Sequence, residues 1–339
     1  MSRARRPRNI THHRTMSPTT FYTSREAQLL GSDRTLRRSK AAGSVVRVGT
    51  GVFVPTGEWK AMKPDERYRT RVRAISLRRS PTAQFSHDSA AALWRLPSLG
   101  PWPTVAHELT TPSLGGTSRV ALRRHGLGLD PNPVVIDGVT VTSLARTLVD
   151  MSCSTSFARA VVMLDDALRT LRTGDPRFGM PASFVTVDEV VALLEQLLPY
   201  PGAVRARRAI EFANGRSGST GESFSRVQFF ALRLPAPELQ VDFYDEMGFI
   251  GTVDFYWPDL GLIGEFDGLS KYGELRLYQR DMTLKQILMD EKRREDRLRR
   301  VSRDFVRLDW PKIENRRVLS EFLRPHGLVA PSRARPSRA

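Results

Sequence analysis

Apolar residues recur at two different spacings along the 339-residue chain. A spacing of three to four residues, which is typical of amphipathic helices, runs through residues 143–152, 157–172, 186–198 and 203–213. Alternating or short unbroken apolar runs bounded by Gly, Pro or Asp predict strands in residues 44–54, 105–111, 119–125, 134–142, 238–245 and 248–257. This mixture of helices and strands predicts an α/β protein.

Residues 21–58 combine two short helical stretches with a glycine-centred hairpin. The first helix is expected to end at Gly31, and Asp33 is expected to cap a second, basic helix over residues 34–43. Two short strands around Gly49 follow and complete a predicted winged helix-turn-helix.

The basic side chains of this unit are candidates for contacts with the major groove of DNA or with its phosphates. They are Arg34, Arg37, Arg38 and Lys40 on the second helix and Arg47 on the wing. The alternative is a basic helical hairpin that only caps the next domain.

The next segment, residues 59–172, is predicted to be a mixed α+β domain. A helix begins in SHDSAAALWRL, where Ser86 or Asp88 can act as the cap. The dipeptide His87-Asp88 also occurs in metal-dependent phosphohydrolases, but helix capping accounts for it and no matching His or Asp cluster follows in the sequence. Further on, the helical stretches carry Arg146, Asp150, Asp165 and Asp166, which are expected to form helix-surface ion pairs.

The order of the basic winged helix, SHDSAAALWRLP, the short strands, VTSLARTLVDM and VVMLDDALR is similar to that of the AbiEi-like antitoxins of type IV toxin-antitoxin systems. The resemblance covers roughly residues 20–172. It implies an N-terminal DNA-binding domain that represses its own operon, with a cognate toxin protein as a partner. Residues 173–215 are then expected to be a linker, rich in Gly, Pro and Ser at its start, and two packing helices.

Residues 251–271, which read GTVDFYWPDLGLIGEFDGLSK, place three acids among apolar residues. A buried charge is costly unless it is paired or binds a metal. If residues 258–261 form a four-residue hairpin loop, Trp257 pairs with Leu262 and Asp254 lies opposite Glu265. Alternation then puts Asp254, Glu265 and Asp267 on one face and Val253, Phe255, Leu262, Gly264 and Phe266 on the other.

The helix, three strands, helix and strand of residues 216–325 closely resemble very-short-patch-repair-like endonuclease domains of the PD-(D/E)xK superfamily. The residues that carry the resemblance are VDFYWPDLGLIGEFDG, KYG and EKRREDRLR. It implies that Asp254 and Glu265 bind Mg²⁺ or Mn²⁺ and that Glu222 supports them. Asp267 stands where the family has its lysine, so Lys271 is the candidate replacement and Asp267 a candidate additional metal ligand.

Alternatives remain open for each of these residues. Glu222 also completes a capping box with Ser219, and a salt bridge to Arg280 or Arg293 would explain the acids Asp254 and Glu265. Asp259 in the literal Pro-Asp of the turn is expected to be exposed. Three basic residues of the last long helix region are candidates for contacts with DNA phosphates, namely Arg280, Lys292 and Arg293.

The net charge of +17 points to a polyanionic partner. Residues 1–80 hold 19 basic against 5 acidic residues, so the excess lies near the N-terminus. Residues 1–20 are expected to be a disordered basic arm or an arm along phosphates.

The single cysteine, Cys153, is expected to be a buried inert thiol. No apolar run approaches the roughly 18 residues of a membrane span and no signal peptide is recognisable, so a cytoplasmic protein is expected. Residues 326–339 are expected to be a disordered tail.

These features predict a metal-dependent DNA endonuclease that carries its own DNA-binding module. The alternative is an antitoxin-like transcriptional regulator whose nuclease fold is inactive and serves only to bind DNA.

Overall fold

The computed structural model describes residues 20–29, 32–112, 118–119, 121–169, 184–267 and 284–330. Within these ranges helices alternate with four small sheets, which confirms the predicted α/β class. None of the helices described there is long and apolar enough to cross a membrane.

The described helices are α1 Ser24–Leu29, α2 Asp33–Ala41, α3 Thr56–Ala61, α4 Pro64–Ser76, α5 His87–Leu93, α6 Leu144–Ser154, α7 Phe157–Arg169, α8 Val187–Gln196, α9 Ala203–Phe212, α10 Thr220–Ala231, α11 Leu284–Val301, α12 Trp310–Glu314 and α13 Arg316–Leu323. The described strands are β1 Tyr22–Thr23, β2 Val45–Gly49, β3 Val52–Pro55, β4 Ala106–Leu109, β5 Ser118–Arg119, β6 Leu122–His125, β7 Val134–Ile136, β8 Val139–Val141, β9 Glu238–Asp245, β10 Gly248–Trp257, β11 Leu262–Phe266 and β12 Asp304–Leu308.

The N-terminal unit is a three-stranded sheet of order β1-β3-β2 that packs against α1 and α2. Ala27, Leu36 and Phe53 are buried together and join the two helices to the hairpin. The prediction that Asp33 caps the second helix is wrong. The backbone N–H of Leu36 donates to the carbonyl of Ser32 at 3.1 Å, so the first turn already includes Asp33 and Ser32 takes the N-cap position.

The middle of the chain is organised around one large hydrophobic cluster. Helices α5, α6 and α7 contribute to it, and α8 and α9 bury Val190, Leu194 and Ala206 in the same cluster. The predicted capping box of α8 is present, because the hydroxyl of Thr186 accepts from the backbone of Glu189 at 3.2 Å and the Glu189 carboxylate accepts from the backbone of Thr186 at 2.7 Å. Most of the predicted linker, residues 173–183, lies outside the described residues.

The C-terminal unit is a four-stranded sheet of order β12-β11-β10-β9, in which β12 runs parallel to β11 and the other pairs are antiparallel. Helix α10 covers one face, where Phe229 packs edge-on against Phe255 and Trp257 with ring centroids 5.4 Å apart in each case. Helix α11 covers the opposite face and buries Leu298 against Ile263. The sheet is therefore buried on both sides.

The hairpin formed by β10 and β11 has the predicted register, with Trp257 paired to Leu262 and Phe255 to Gly264. A 3₁₀ turn, Pro258–Leu260, closes it, and Gly261 takes a left-handed conformation with φ +57°. The assignment of Val253 to the face of Phe255 is wrong, since Val253 belongs to the cluster of Ile263 and Leu298. The regular alternation is interrupted beside it, where Gln240 on the neighbouring strand β9 has φ +53°.

The chain continues in ordered packing after residue 325. Leu328 is 1% exposed and belongs to the hydrophobic cluster under the sheet, and the ring of His326 lies 2.5 Å from a carboxylate oxygen of Asp304. The predicted disordered tail therefore begins too early, because an apolar residue beyond a helix end still finds a place in the core. Residues 331–339 lie outside the described residues.

Candidate active site

Asp254 is fixed at the centre of the sheet by two neutral N–H donors. Its Oδ2 accepts from the backbone N–H of Phe266 at 2.8 Å, and its Oδ1 accepts from the side-chain amide of Gln240 at 3.2 Å. The residue is only 8% exposed. Each carboxylate oxygen keeps a second lone pair, so Asp254 retains the capacity to accept a further ligand.

Glu222 lies in the first turn of α10 and is 3% exposed. Its backbone N–H donates to the hydroxyl of Ser219 at 3.2 Å, which is one half of the predicted capping box. Its carboxylate does not complete the box at the N-cap backbone; it accepts from the backbone of Gly218 at 2.6 Å and from the amide of Gln240 at 2.9 Å. Gln240 thus bridges Glu222 and Asp254, an arrangement that a helix cap does not need.

Gln240 was not among the residues singled out in the sequence. It lies on β9, at the position that faces Asp254 when the pairing of Val241 with Val253 is continued by one residue. The signal available in the sequence was the amide side chain of Gln240, on the predicted strand next to the one that carries Asp254. The helical end of the bridge, Glu222, could not be placed against it without the tertiary fold.

Glu265 lies on β11 with an 11% exposed side chain and forms a 2.5 Å ion pair with Arg294 of α11. Arg294 also donates to the backbone carbonyl of Thr252 at 3.0 Å, which holds the guanidinium against the sheet. Burial raises the pKa of Glu265, and the charge of Asp254 adds to this, while Arg294 opposes it. Glu265 and Asp254 thus form a buried acidic pair with one fixed cation.

The salt-bridge partner of Glu265 is Arg294 and not Arg293, as one alternative expected. Arg293 is 72% exposed and pairs with Asp290 on the outer face of α11. The residues that face the sheet are spaced by three and four positions, so Arg294 and Leu298 point inward together while Arg293 points to solvent. Arg280 lies outside the described residues.

A second arginine, Arg307 of β12, lies at the edge of the acidic pair. It contacts Glu291 and Glu295 of α11 at 2.9 Å each, and lies 3.8 Å from both Glu265 and Asp267. Asp267 is 33% exposed at its side chain, and its backbone N–H donates to the carbonyl of residue 308 at 2.7 Å. Asp267 and Glu265 therefore share one neighbouring cation, Arg307.

Three further residues in this part of the chain were assigned from the sequence, namely Lys271 as the candidate lysine, Lys292 as a phosphate contact and Asp259 as an exposed turn residue. Lys271 lies outside the described residues, and Lys292 is exposed on α11. Asp259 is exposed in the 3₁₀ turn, as the register predicted.

The two carboxylates of the pair fit a hard divalent cation such as Mg²⁺, which is held by one or two carboxylates and keeps several waters. Asp254 has lone pairs to spare, and Oε2 of Glu265 has Arg307 at 3.8 Å while Oε1 pairs with Arg294. Among the described residues, the carboxylates of Asp254, Glu265 and Asp267 do not bring three ligand atoms within 4.8 Å of one another, as a cluster of three histidines elsewhere does. A cation at the acidic site would therefore be held by Asp254 and Glu265 and not by all three acids.

The basic residues predicted to contact DNA are exposed on α2 and on the hairpin that follows it: Arg34, Arg37, Arg38, Lys40 and Arg47. The ammonium of Lys40 lies 4.2 Å from the centre of the Phe53 ring, and Arg47 donates to the carbonyl of Gly49 at 3.2 Å. Both contacts leave donors directed to solvent, since each side chain has more donors than these contacts use.

No protein family model matches the chain. Two uncharacterised proteins of Mycobacterium tuberculosis, from the strains CDC 1551 / Oshkosh and ATCC 25618 / H37Rv, are each 28% identical to it over 267 residues, which covers 75% of this chain and 89% of each relative. An alignment of that length is longer than any one of the units described above. The likeness therefore extends across more than one of them.

Proposed function

We propose that this protein is a metal-dependent DNA endonuclease with its own DNA-binding module. In this proposal residues 216–325 have a PD-(D/E)xK nuclease fold related to very-short-patch-repair endonucleases, residues 21–58 are a winged helix-turn-helix, and residues 59–172 form an AbiEi-like domain. The observation that carries the proposal is the bridge from Glu222 through Gln240 to Asp254, beside the buried Glu265.

A fold gains nothing in stability from such a set of acids. Three carboxylates are desolvated within one small region, and burial raises the pKa of Glu265 even with Arg294 against it. Clusters of desolvated, mutually destabilising acids are typical of functional sites. Surface ion pairs would have stabilised the same helix and strands at lower cost.

The residues of the chain have separable roles in this proposal. Asp254 and Glu265 would hold a divalent cation, which when bound would supply Lewis-acid chemistry for phosphodiester hydrolysis. Gln240 and Glu222 fix the orientation of Asp254 through the bonds at 3.2 and 2.9 Å. Arg294 holds Glu265 in place and lies where it can balance the charge of a bound phosphate.

The charge of the chain and its distribution support DNA as the substrate in this proposal. The exposed arginines of α2, together with the exposed Lys292 and Arg293 on α11, provide contacts to phosphates that do not depend on the base sequence. Lys292 and Arg293 are exposed on α11, the helix that covers the acidic pair, and Arg293 lies on its outer face.

The test is cleavage of supercoiled plasmid by the full chain in Mg²⁺ or Mn²⁺, compared among wild type, Asp254→Asn, Glu265→Gln and the matched control Asp259→Asn. The proposal expects nicking or linearisation by wild type and Asp259→Asn, and its loss in the other two with DNA binding unchanged. Absence of cleavage by wild type in both metals and on supercoiled, linear and single-stranded DNA would refute it.

The DNA-binding module is tested separately by replacing Arg37 and Arg38 with Ala. The pair Arg207 and Arg208 on α9, which is also exposed, provides the control. Removal of two phosphate contacts should lower the slope of log affinity against log salt by about 2, roughly one for each residue. Equal salt slopes in the two double variants would show that α2 is not the DNA-binding element.

A second function is supported by the arginines at the site. Arg294 and Arg307 neutralise Glu265 and Asp267 in the region where the nuclease family has its catalytic lysine. In this alternative the protein is an antitoxin-like transcriptional regulator, with a cognate toxin as its partner, and the nuclease fold serves only to bind DNA. Wild type that binds its promoter DNA with a steep salt dependence, and cleaves nothing, would favour this function.

A further inference from the structure

Three histidines meet in the middle of the chain, far apart in sequence and away from the acidic pair. His87 is the first residue of α5, His107 lies on β4 and His125 ends β6. The rings of His87 and His125 stack with centroids 3.8 Å apart, and the His107 ring lies 5.1 Å from that of His125. One ring nitrogen from each residue lies within 4.8 Å of the other two.

The backbone places these side chains together by regular pairing. Strands β4 and β6 are parallel neighbours, which brings His107 and His125 to adjacent strands of one sheet. The start of α5 is tied to β4 because the N–H of Ser86 donates to the carbonyl of His107 at 3.0 Å, and the N–H of His107 donates to the hydroxyl of Ser89 at 2.8 Å. His87 itself has φ +49°, a conformation that is costly for a residue other than glycine and is often found at functional sites.

The three rings lie in a largely buried setting. Burial lowers the pKa of His87 far below its ordinary value, and lowers those of His107 and His125 to about 4, with the charge of Arg123 contributing to each.

Two buried carboxylates lie behind the rings. Asp88 Oδ2 is 3.8 Å from Nε2 of His107, and Asp150 Oδ2 is 3.8 Å from Nδ1 of His87. Asp150 is fully buried, and among the described residues no hydrogen-bond donor reaches this Oδ2 atom. A histidine that binds a metal through one nitrogen usually presents its other N–H to a carboxylate, and Asp88 lies on that side of His107, although 3.8 Å is longer than a direct hydrogen bond.

The same contacts select the ligand atoms. Nδ1 of His107 and Nε2 of His125 face each other at 3.0 Å, while Nε2 of His107 faces Asp88. Nδ1 of His87 is engaged by the hydroxyl of Ser86 at 2.9 Å, which leaves its Nε2 for a metal. The nitrogens that remain are Nε2 of His87, Nδ1 of His107 and Nε2 of His125.

We propose that His87, His107 and His125 bind one transition-metal ion of the Zn²⁺ class, with Asp88 beside Nε2 of His107 and the hydroxyl of Ser86 on Nδ1 of His87. Three histidines leave a fourth tetrahedral position for water or another ligand, and the partly exposed His125 marks the accessible side. Nitrogen ligands separate this site chemically from the carboxylate pair, which suits Mg²⁺. The ion would join α5 to β4 and β6 and so stabilise this part of the fold.

The predicted helix start at Ser86 or Asp88 is confirmed, because Ser86 takes the N-cap position of α5, although its side chain makes no cap hydrogen bond and Asp88 pairs with Arg159 at 2.6 Å. The expectation that no matching histidines follow is wrong, because His107 and His125 lie against His87. The histidines that complete the cluster follow 20 and 38 residues later, which no local spacing rule detects.

The test measures Zn²⁺ binding by calorimetry and Co²⁺ binding by visible absorption on the full chain, without an affinity tag and after treatment with a chelator. His12 and His13 are replaced by Ser in every protein, because this adjacent pair is itself a weak metal site. Wild type should bind one Zn²⁺ per chain and give the intense bands of four-coordinate Co²⁺. His125→Gln should weaken Zn²⁺ binding at least about 100-fold, and Asp88→Asn about 10-fold to 100-fold. His326→Gln is the matched control and should bind as wild type does.

Binding by His125→Gln that equals binding by wild type would overturn the proposal, because the metal would then lie elsewhere. If the His125→Gln chain does not fold, as judged by circular dichroism, Zn²⁺ binding and the Co²⁺ absorption bands of wild type test the proposal without this variant. Absence of Zn²⁺ uptake and of four-coordinate Co²⁺ bands in the folded wild type would show that the three rings are only a neutral packing cluster.

Discussion

Replacing Gln240 with Leu tests the bridge on which the candidate active site depends. Leucine has a similar size but cannot donate, so the change removes the hydrogen bonds to Glu222 at 2.9 Å and to Asp254 at 3.2 Å and leaves little cavity. Glu222 keeps its bond to the backbone of Gly218, and Asp254 keeps its bond to the backbone of Phe266. Both acids therefore stay in the site, but lose the amide that links them.

The size of the effect follows from these contacts. Hydrogen bonds to charged groups contribute about 1.5–3 kcal/mol each, and the longer of the two lies at the lower end, so their loss costs about 3–4 kcal/mol. Burial of the apolar leucine side chain returns roughly 1 kcal/mol. The free energy of unfolding should therefore fall by about 2–3 kcal/mol. Misorientation of Asp254 should raise the Mg²⁺ concentration for half-maximal cleavage about 10-fold to 100-fold.

The assay combines urea denaturation with plasmid cleavage over a Mg²⁺ series. Gln228→Leu is the control, because Gln228 likewise makes two hydrogen bonds, to the carbonyl of Ile313 at 2.6 Å and from Arg316 at 3.0 Å, but touches none of the acids. It should lose similar stability and keep the wild-type Mg²⁺ requirement. Equal Mg²⁺ requirements in wild type and folded Gln240→Leu would refute the reasoning.

Other consequences can be tested on the same protein. Arg146→Met should lower the free energy of unfolding by about 3–5 kcal/mol near pH 8, as measured by denaturation, because it leaves fully buried Asp150 without its 2.8 Å partner. Burial already raises the pKa of Asp150 to about 6, and a raised pKa favours folding of the protonated form, so this loss should shrink as the pH falls toward 5. A Cβ at Gly221 would overlap the buried Phe266 ring, so Gly221→Ala should cost about 1–3 kcal/mol in the same denaturation assay and reduce cleavage by shifting α10. Burial raises the pKa of Cys153 to about 12, so the native thiol should react with Ellman's reagent only at the rate of unfolding; rapid native reaction would contradict its buried position.

Local patterns were sufficient for the hairpin, because strand period and turn length depend on neighbouring residues. Trp257 pairs with Leu262, and the bounds of β9 and β10 fall at the ends of the predicted strands. The partners of the acids could not be found in this way. Arg294 and Gln240 come from other elements, and which of two adjacent arginines faces the sheet depends on the rotation of α11.

The middle of the chain shows the same limit more strongly. The four-residue spacing of Arg146 and Asp150 predicted their ion pair, but its expected place on a helix surface is wrong, since both side chains are buried. Their burial depends on the packing of α6 against α8 and α9, which no local pattern contains. The histidine cluster likewise depends on the parallel pairing of β4 with β6.

The most direct test of the central proposal is the binding of a divalent cation at the acidic pair. Mn²⁺ binding to the full chain can be followed by electron paramagnetic resonance, with Mg²⁺ as the competitor. We expect wild type and Asp259→Asn to bind a Mn²⁺ ion that Mg²⁺ displaces, and Asp254→Asn to lose it. Equal Mg²⁺-sensitive binding in Asp254→Asn and wild type, or none in wild type, would contradict the assignment of Asp254 and Glu265 as the metal site.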